Sequence, residues 1–110
     1  MTTVIMISLI HLIQHPEVYH EKHVRFVAFA SVQFEQKALY ISYDDYKAAI
    51  TKNAIWLDIP INEETKKFDK KFVLVEGIFN KDSLGHLKLY SGTLEKVNRI
   101  EVWAPAPDQN

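Results

Sequence analysis

The feature that most constrains the fold is a run of alternating side chains over residues 23–34. A period of two over this length predicts a long β-strand. The second face is mixed, with Val27 and Phe29 among polar residues, so we expect a helix, such as the N-terminal one, to cover it. The first face is apolar throughout and holds Val24, Phe26, Ala28, Ala30, Val32 and Phe34.

The N-terminal region reads as a short helix over residues 4–15, capped by Ser8, with Leu9, Leu12 and Ile13 turned inward. Alternatively, residues 4–7 form an extended segment that precedes a shorter helix. Pro16 ends this element in a turn. The apolar run lacks a basic region and a cleavage site, and it is shorter than the roughly 20 residues of a transmembrane helix. We therefore interpret it as structural and expect a cytoplasmic protein.

The rest of the chain is predicted to form further strands and a helix, separated by short polar segments. Ser42 is a predicted N-cap, and Tyr46, Ala49 and Ile50 share the inner face of the helix that follows it. In strand 54–59, Ile55, Leu57 and Ile59 point one way and Trp56 and Asp58 the other. The predicted elements are strand 38–41, helix 43–52, strand 54–59, connector 60–70, strand 72–79 and a long β-rich segment 87–103 bent near Gly92.

The fold class follows from this order of elements. The chain is predicted to be mainly β, a small five-stranded OB-like barrel with one or two short helices, because closure removes exposed strand edges. Gly77 and Gly92 are the natural bend points. With 110 residues, the chain forms one domain over residues 1–104, and residues 105–110 are predicted to be a disordered tail.

A set of short motifs supports the same architecture. The first motif, in the N-terminal region, is Ser8-Leu9-Ile10 with Ile13, Pro16-Glu17 and Tyr19. The later motifs are Lys22-x-Val24-Arg25, Val75-Glu76-Gly77-x-Phe79, Gly85-His86 and Ser91-Gly92. Over about residues 8–103 the chain resembles small, mostly uncharacterised bacterial proteins with an OB-fold-like barrel, which are possible toxin-immunity proteins. The resemblance implies the fold, since the motifs are structural, and such folds bind oligonucleotides, sugars or other proteins.

Composition and motifs point away from catalysis. The chain has no cysteine, which excludes disulfides, thiolate nucleophiles and cysteine-ligated zinc. His11 and His15 share a helix face, and His20 and His23 follow, but no carboxylate has matching ligand spacing. We predict no metal site and no cofactor.

The candidates for an acid–base pair are His23 or His86 with Lys22 or Glu76. Glu76 is the most unusual carboxylate because it stands in an apolar strand. It is either buried with a raised pKa or paired with Arg25 or a lysine. No Ser-His-Asp order and no phosphate-binding glycine loop is evident, so we do not expect an enzyme.

The leading prediction is a protein-binding surface that joins aromatic and acidic residues. Such a surface suits a basic protein partner, such as a toxin domain that an immunity protein neutralises. Trp56 packing under the neighbouring helix is the structural alternative. The predicted surface consists of Tyr43, Asp44, Asp45, Tyr46, Trp56 and Asp58.

The alternative prediction is an OB-type surface for single-stranded nucleic acid. It consists of Lys66, Lys67, Phe68, Lys70 and Lys71. Glu63, Glu64 and Asp69 flank these lysines, and the formal net charge of −1 supplies no field toward nucleic acid or an anionic membrane. We expect no membrane partner, and the sequence does not specify an oligomeric state.

Overall fold

A computed structural model of the protein describes residues 3–106. Within this range the chain forms six strands, four short α-helices and two single-turn 3-10 helices. The strands are β1 (Ile5–Met6), β2 (His23–Gln33), β3 (Gln36–Tyr40), β4 (Ala54–Leu57), β5 (Lys71–Asn80) and β6 (Thr93–Pro105). The α-helices are α1 (Leu9–Gln14), α2 (Pro16–Tyr19), α3 (Tyr43–Lys47) and α4 (Glu63–Lys66).

All six strands belong to one sheet with the order β1-β2-β3-β4-β6-β5. An additional pairing between β2 and β5 joins the two ends, so the five strands from β2 to β6 form a ring. β4 runs parallel to β6 and β1 parallel to β2, and the other pairs are antiparallel. The mainly-β class is confirmed, and the extended N-terminal alternative is observed in part as a sixth strand, β1.

The long alternating segment is strand β2, as predicted. Its apolar face lines the ring interior, where Val24, Phe26, Ala28, Ala30 and Val32 are buried. The position of Phe34 was wrong, because the chain turns after Gln33 and leaves that ring 89% exposed.

The second face of β2 is covered by a different helix from the one expected. Phe29 is buried against Tyr43 and Tyr46 of α3, not under α1, and Val27 is exposed. α1 instead closes the ring interior, where Leu9 and Leu12 join the core. The hairpin that follows β2 brings α3 over this face.

The Ser8 cap is confirmed, since its side chain accepts a hydrogen bond from the His11 N–H at 3.1 Å. The turn predicted at Pro16 is instead the one-turn helix α2. Proline is tolerated in the first turn of a helix because that N–H has no intrahelical partner.

The helix after Ser42 is shorter than predicted. It ends at Lys47, and Ala49 takes a left-handed conformation with φ of 56°. Ala49 and Ile50 are exposed rather than on an inner face. A 3-10 helix, Thr51–Asn53, then leads into β4.

The C-terminal half also differs in detail. The predicted β-rich segment starts with a 3-10 helix, His86–Lys88, and β6 begins at Thr93, directly after Gly92. Pro105 pairs with Lys71, so the first residue of the predicted tail belongs to the sheet. Residues 107–110 of that tail lie outside the described residues, as do residues 1–2.

Among residues 3–106, none of the helices combines the length and the apolar character needed to cross a membrane.

Candidate functional site

The predicted partner-binding residues surround a second hydrophobic cluster, on the face of β2, β3 and β4 that points away from the ring interior. The members of this cluster are aromatic or small. The buried ones are Phe29, Ala38, Tyr40, Ala54 and Tyr90, and Tyr43, Tyr46, Trp56, Phe72 and Ala106 pack against them.

Tyr43 and Tyr46 hold α3 on the sheet. Their ring centroids lie 5.3 Å and 5.2 Å from that of Phe29. Both rings are half-buried, so each contributes only one part of its surface to solvent. The structure therefore assigns them a packing role beside any role in binding.

The two aspartates lie in the first turn of α3. The Ser42 side chain accepts a hydrogen bond from the Asp45 N–H at 3.1 Å, and the positive end of the short helix favours both carboxylates. Asp44 is exposed. Asp45 contacts Asn53 and lines a cavity of about 360 Å³ between α1 and α3, with Ile10 and Ile13 among its other walls.

Trp56 is half-buried and packs among side chains, although not under a helix as the structural alternative supposed. Its ring lies edge-on to Tyr90 at 5.3 Å and is stacked near His86 at 6.3 Å. The Lys37 ammonium lies 5.8 Å from the ring centroid. The indole is held in a fixed orientation, with part of its surface turned to a cleft.

That cleft has a volume of about 490 Å³ and brings Trp56 together with Asp58. Asp82, Glu95 and Lys88 also line it. The Lys81 ammonium pairs with Asp82 at 2.8 Å and the Lys37 ammonium lies over the Trp56 ring, so three ammonium groups stand near the three carboxylates of the cleft. Sequence reasoning missed Asp82 and Glu95, which come from the segment before the 3-10 helix and from β6, because no local pattern connects them to Trp56.

A chain of ring contacts joins α3 to this cleft. The Tyr46 and Tyr40 centroids are 5.6 Å apart, and the Gln36 amide donates to the hydroxyls of Tyr40 and Tyr90 at 3.0 Å and 3.1 Å. Tyr90 then contacts Trp56. Burial, reinforced by Tyr90, raises the pKa of Tyr40 to about 12. The six predicted residues thus lie along one aromatic strip with acidic groups at both ends, which we call the aromatic–acidic strip.

The predicted lysine surface is only partly assembled. Lys66, Lys67 and Lys70 are exposed and Lys71 is half-buried. Phe68, however, is 7% exposed and belongs to the ring core, so its predicted role in stacking on bases is wrong. Burial of this apolar ring in the core is more favourable than its exposure to solvent.

Glu76 lies in a polar network on the face of β2, β5 and β6 that points away from the ring interior. It is 5% exposed, and Oε1 accepts a hydrogen bond from Arg25 at 2.6 Å. Oε2 accepts from Asn98 at 2.9 Å and lies 3.3 Å from His23 Nε2. The hydrogen bonds from Asn98 and Arg25 hold the pKa of Glu76 below its ordinary value. Of the two alternatives, the structure shows the pairing with Arg25, and this pairing lowers rather than raises the pKa of Glu76.

One predicted acid–base pair, His23 with Glu76, is in contact, whereas His86 lies beside Trp56. His23 Nε2 also lies 3.0 Å from Asn98 Oδ1. Because Glu76 accepts hydrogen bonds from Arg25 and Asn98, its charged form is favoured and it is a poor proton carrier.

The other histidines lie at two separate places. The rings of His11 and His15 are 4.6 Å apart on α1 and the residue after it, and His20 Nδ1 accepts from the Lys81 N–H. Over residues 3–106, no three histidine or acidic side chains come close enough to one another to hold a metal ion.

Comparison of the chain with protein-family models, with curated proteins and with solved structures finds no significant match.

Proposed function

We propose that this chain is a non-enzymatic, cytoplasmic protein-binding module with an OB-like barrel, and that it acts as an immunity protein which occludes the active site of a basic bacterial toxin. The observation that carries the proposal is the aromatic–acidic strip from α3 to the cleft beside Trp56. It places half-buried rings and exposed carboxylates at both ends of one aromatic cluster, joined by the buried rings of Tyr40 and Tyr90.

The order of the strands supports the OB-like part of the proposal. Five strands close into a ring through the β2–β5 pairing, and a glycine stands at the register shift of β5. A partly open five-stranded barrel of this kind exposes one strand face to ligands. In this chain that face carries the aromatic–acidic strip.

The chemistry of the strip favours a basic partner. Asp44 and Asp58 are exposed and form no ion pair among residues 3–106, so they attract cationic side chains during encounter, and Trp56 is a rigid anchor once the cleft is desolvated. A toxin that acts on nucleic acid is basic where it binds its substrate. An acidic strip placed over that surface competes with the substrate.

The test is affinity capture of the tagged protein from the cell that encodes it, followed by mass spectrometry with and without nuclease. We expect one stoichiometric basic protein, retained after nuclease treatment. Co-expression with the chain should then relieve the toxicity of that protein.

A pair of charge-reversed variants makes the test specific. Asp44→Lys with Asp45→Lys removes the acidic end of the strip, and Glu63→Lys with Glu64→Lys on α4 makes the same change in net charge elsewhere. We expect capture to fail with the first variant and to survive with the second. Equal capture by both would show that the strip is not the binding surface.

The nucleic-acid alternative keeps one supporting observation, the exposure of Lys66, Lys67 and Lys70. Capture of heterogeneous nucleic acid, released by salt and lost on charge reversal at Lys66 and Lys67, would favour it over the immunity proposal.

A further inference from the structure

Strand β6 has an open edge along most of its length. On one side it pairs with β5 from Thr93 to Pro105, but on the other it pairs with β4 only at Thr93 and Leu94. Within residues 3–106, the backbone hydrogen bonds of the β6 residues after Leu94 run only to β5. The outward backbone groups of this stretch can therefore pair with another strand.

The central part of this edge is regular. Register shifts interrupt the β5–β6 ladder between Glu76 and Ile78 and between Phe72 and Val73. Between them, four consecutive residues of β6, from Arg99 to Val102, pair with Glu76 to Val73 without a break. A short, regular, open strand segment is what edge-to-edge pairing requires.

Two large apolar side chains stand at the end of this segment. Val102 is 48% exposed and Trp103 is 63% exposed. Tryptophan is enriched at interfaces because its large rigid ring gains more on burial than it loses in side-chain entropy. Neither residue belongs to the buried members of the two hydrophobic clusters.

The charged residues along this edge are complementary to those of a second, antiparallel copy of the same strand. Arg99 and Glu101 alternate with Ile100 and point to the same face, where the Arg99 guanidinium donates to the Glu101 carboxylate. If a second copy of the strand is placed antiparallel with Ile100 opposite Ile100, then Arg99 stands opposite Glu101 of that copy. Two oppositely charged pairs then form across the junction, related by a two-fold axis.

We propose that the β6 edge is a homodimer interface, in which Arg99 to Val102 of two copies pair antiparallel about Ile100. The occupant is a second copy of this chain, since the match of Arg99 with Glu101 is a property of the sequence with itself. None of the residues Arg99 to Val102 belongs to the aromatic cluster or lines the cleft beside Trp56, so the proposed pairing does not use the strip residues.

The first measurement is the mass in solution, by light scattering and sedimentation over a range of concentrations. We expect twice the 12.8 kDa of one chain at high concentration. A mass of one chain up to ~1 mM, a concentration at which even weak specific pairing is visible, would overturn the proposal.

Charge exchange tests the register. Arg99→Glu places two pairs of like charges across the junction, and so does Glu101→Arg, so each variant alone should dimerise at least tenfold more weakly. An equimolar mixture of the two restores opposite charges and should form a heterodimer. Failure of the mixture to associate, with both variants folded, would contradict this register.

A cysteine variant keeps the test independent of these charges, because Arg99 also approaches Glu76 and its replacement disturbs the fold. The chain has no cysteine, so Ile100→Cys introduces a single thiol on the proposed two-fold axis. Ile100 is half-buried and packs against the ring core, so circular dichroism first establishes that this variant folds. Leu87→Cys, at a position 74% exposed in the 3-10 helix before β6, is the control. Disulfide-linked dimer should form faster at position 100, and equal rates at both positions would overturn the proposal.

Discussion

At the scale of single residues, Glu76 and Tyr40 are the two ionisable groups whose environments matter most for stability. Glu76 is nearly buried and bonded on both oxygens, and Tyr40 is buried with its hydroxyl bonded to Gln36. Their pKa values shift in opposite directions, so each one limits stability at a different end of the pH range.

Replacing Glu76 by glutamine should destabilise the protein by about 3 kcal/mol at neutral pH, because Arg25 loses its buried partner. The pKa of Glu76 is lower in the folded than in the unfolded chain, so its contribution is full above the unfolded value of about 4.3 and is lost as the pH falls. Urea unfolding of both proteins between pH 7 and pH 3 measures this. The difference between wild type and variant should shrink toward pH 3, and a constant difference would contradict the assignment.

The raised pKa of Tyr40 predicts that the folded protein loses stability at alkaline pH. Its folded pKa of about 12 exceeds the ordinary 10.0, so its contribution is full below pH 10 and is lost as the pH rises toward 12. The free energy of unfolding of the wild type should fall over this interval more steeply than that of Tyr40→Phe. Tyrosinate absorbance should show one ring that ionises only near pH 12 or on unfolding.

At the scale of elements, caps and glycines decide where the short helices and the last strand begin. α3 has only five residues, so its capping bond from Asp45 N–H to Ser42 is a large part of its stability. The acidic end of the aromatic–acidic strip depends on this helix.

Ser42→Ala should therefore cost about 1 kcal/mol and loosen α3. Amide hydrogen exchange should accelerate at Asp45 and Tyr46 while β5 stays protected. Ser8→Ala, which removes the corresponding cap of α1, is the matched control and should act on α1 alone. Unchanged exchange in α3 would mean that packing of Tyr43 and Tyr46 holds the helix without its cap.

Gly92 sets the start of β6. Its φ is +145°, and an added Cβ would lie 2.5 Å from the Phe79 ring, which is fully buried. Gly92→Ala should lower the free energy of unfolding by more than about 2 kcal/mol, because overpacking adds to backbone strain. Thermal unfolding measures it, and a melting temperature within a degree of wild type would contradict the close approach.

At the scale of the whole molecule, the ring interior forms one core that includes the N-terminal helix. Leu12 is fully buried in this core, whereas Ile10 of the same helix is 48% exposed. Leu12→Ala should cost about 3 kcal/mol and Ile10→Ala less than about 1 kcal/mol. Equal effects in equilibrium unfolding would show that α1 is not part of the cooperative domain.

Much of the local structure was predictable because its causes are local. Alternation predicted β2 and the two faces of β4, and the Ser8 and Ser42 side chains marked helix starts, since each signal needs only neighbours within a few residues. Errors arose where a local signal was ambiguous. The apolar residues after Lys47 suggested a longer helix, but the left-handed backbone at Ala49 ends it.

The contacts that define the candidate sites depended on the tertiary structure. Arg25 and Glu76 are 51 positions apart and meet because β2 and β5 pair in one register. Asp82 reaches the cleft beside Trp56 through the path of the loop after β5, and Glu95 reaches it through the pairing of β4 with β6. The open edge of β6 likewise exists because β4 is short. The amino-acid pattern thus determined the mainly-β class and the inward residues of β2 and β4, whereas the pairing of distant strands decided which polar groups meet. Sequence periodicity specifies the faces of a strand but carries little information about its partner or register.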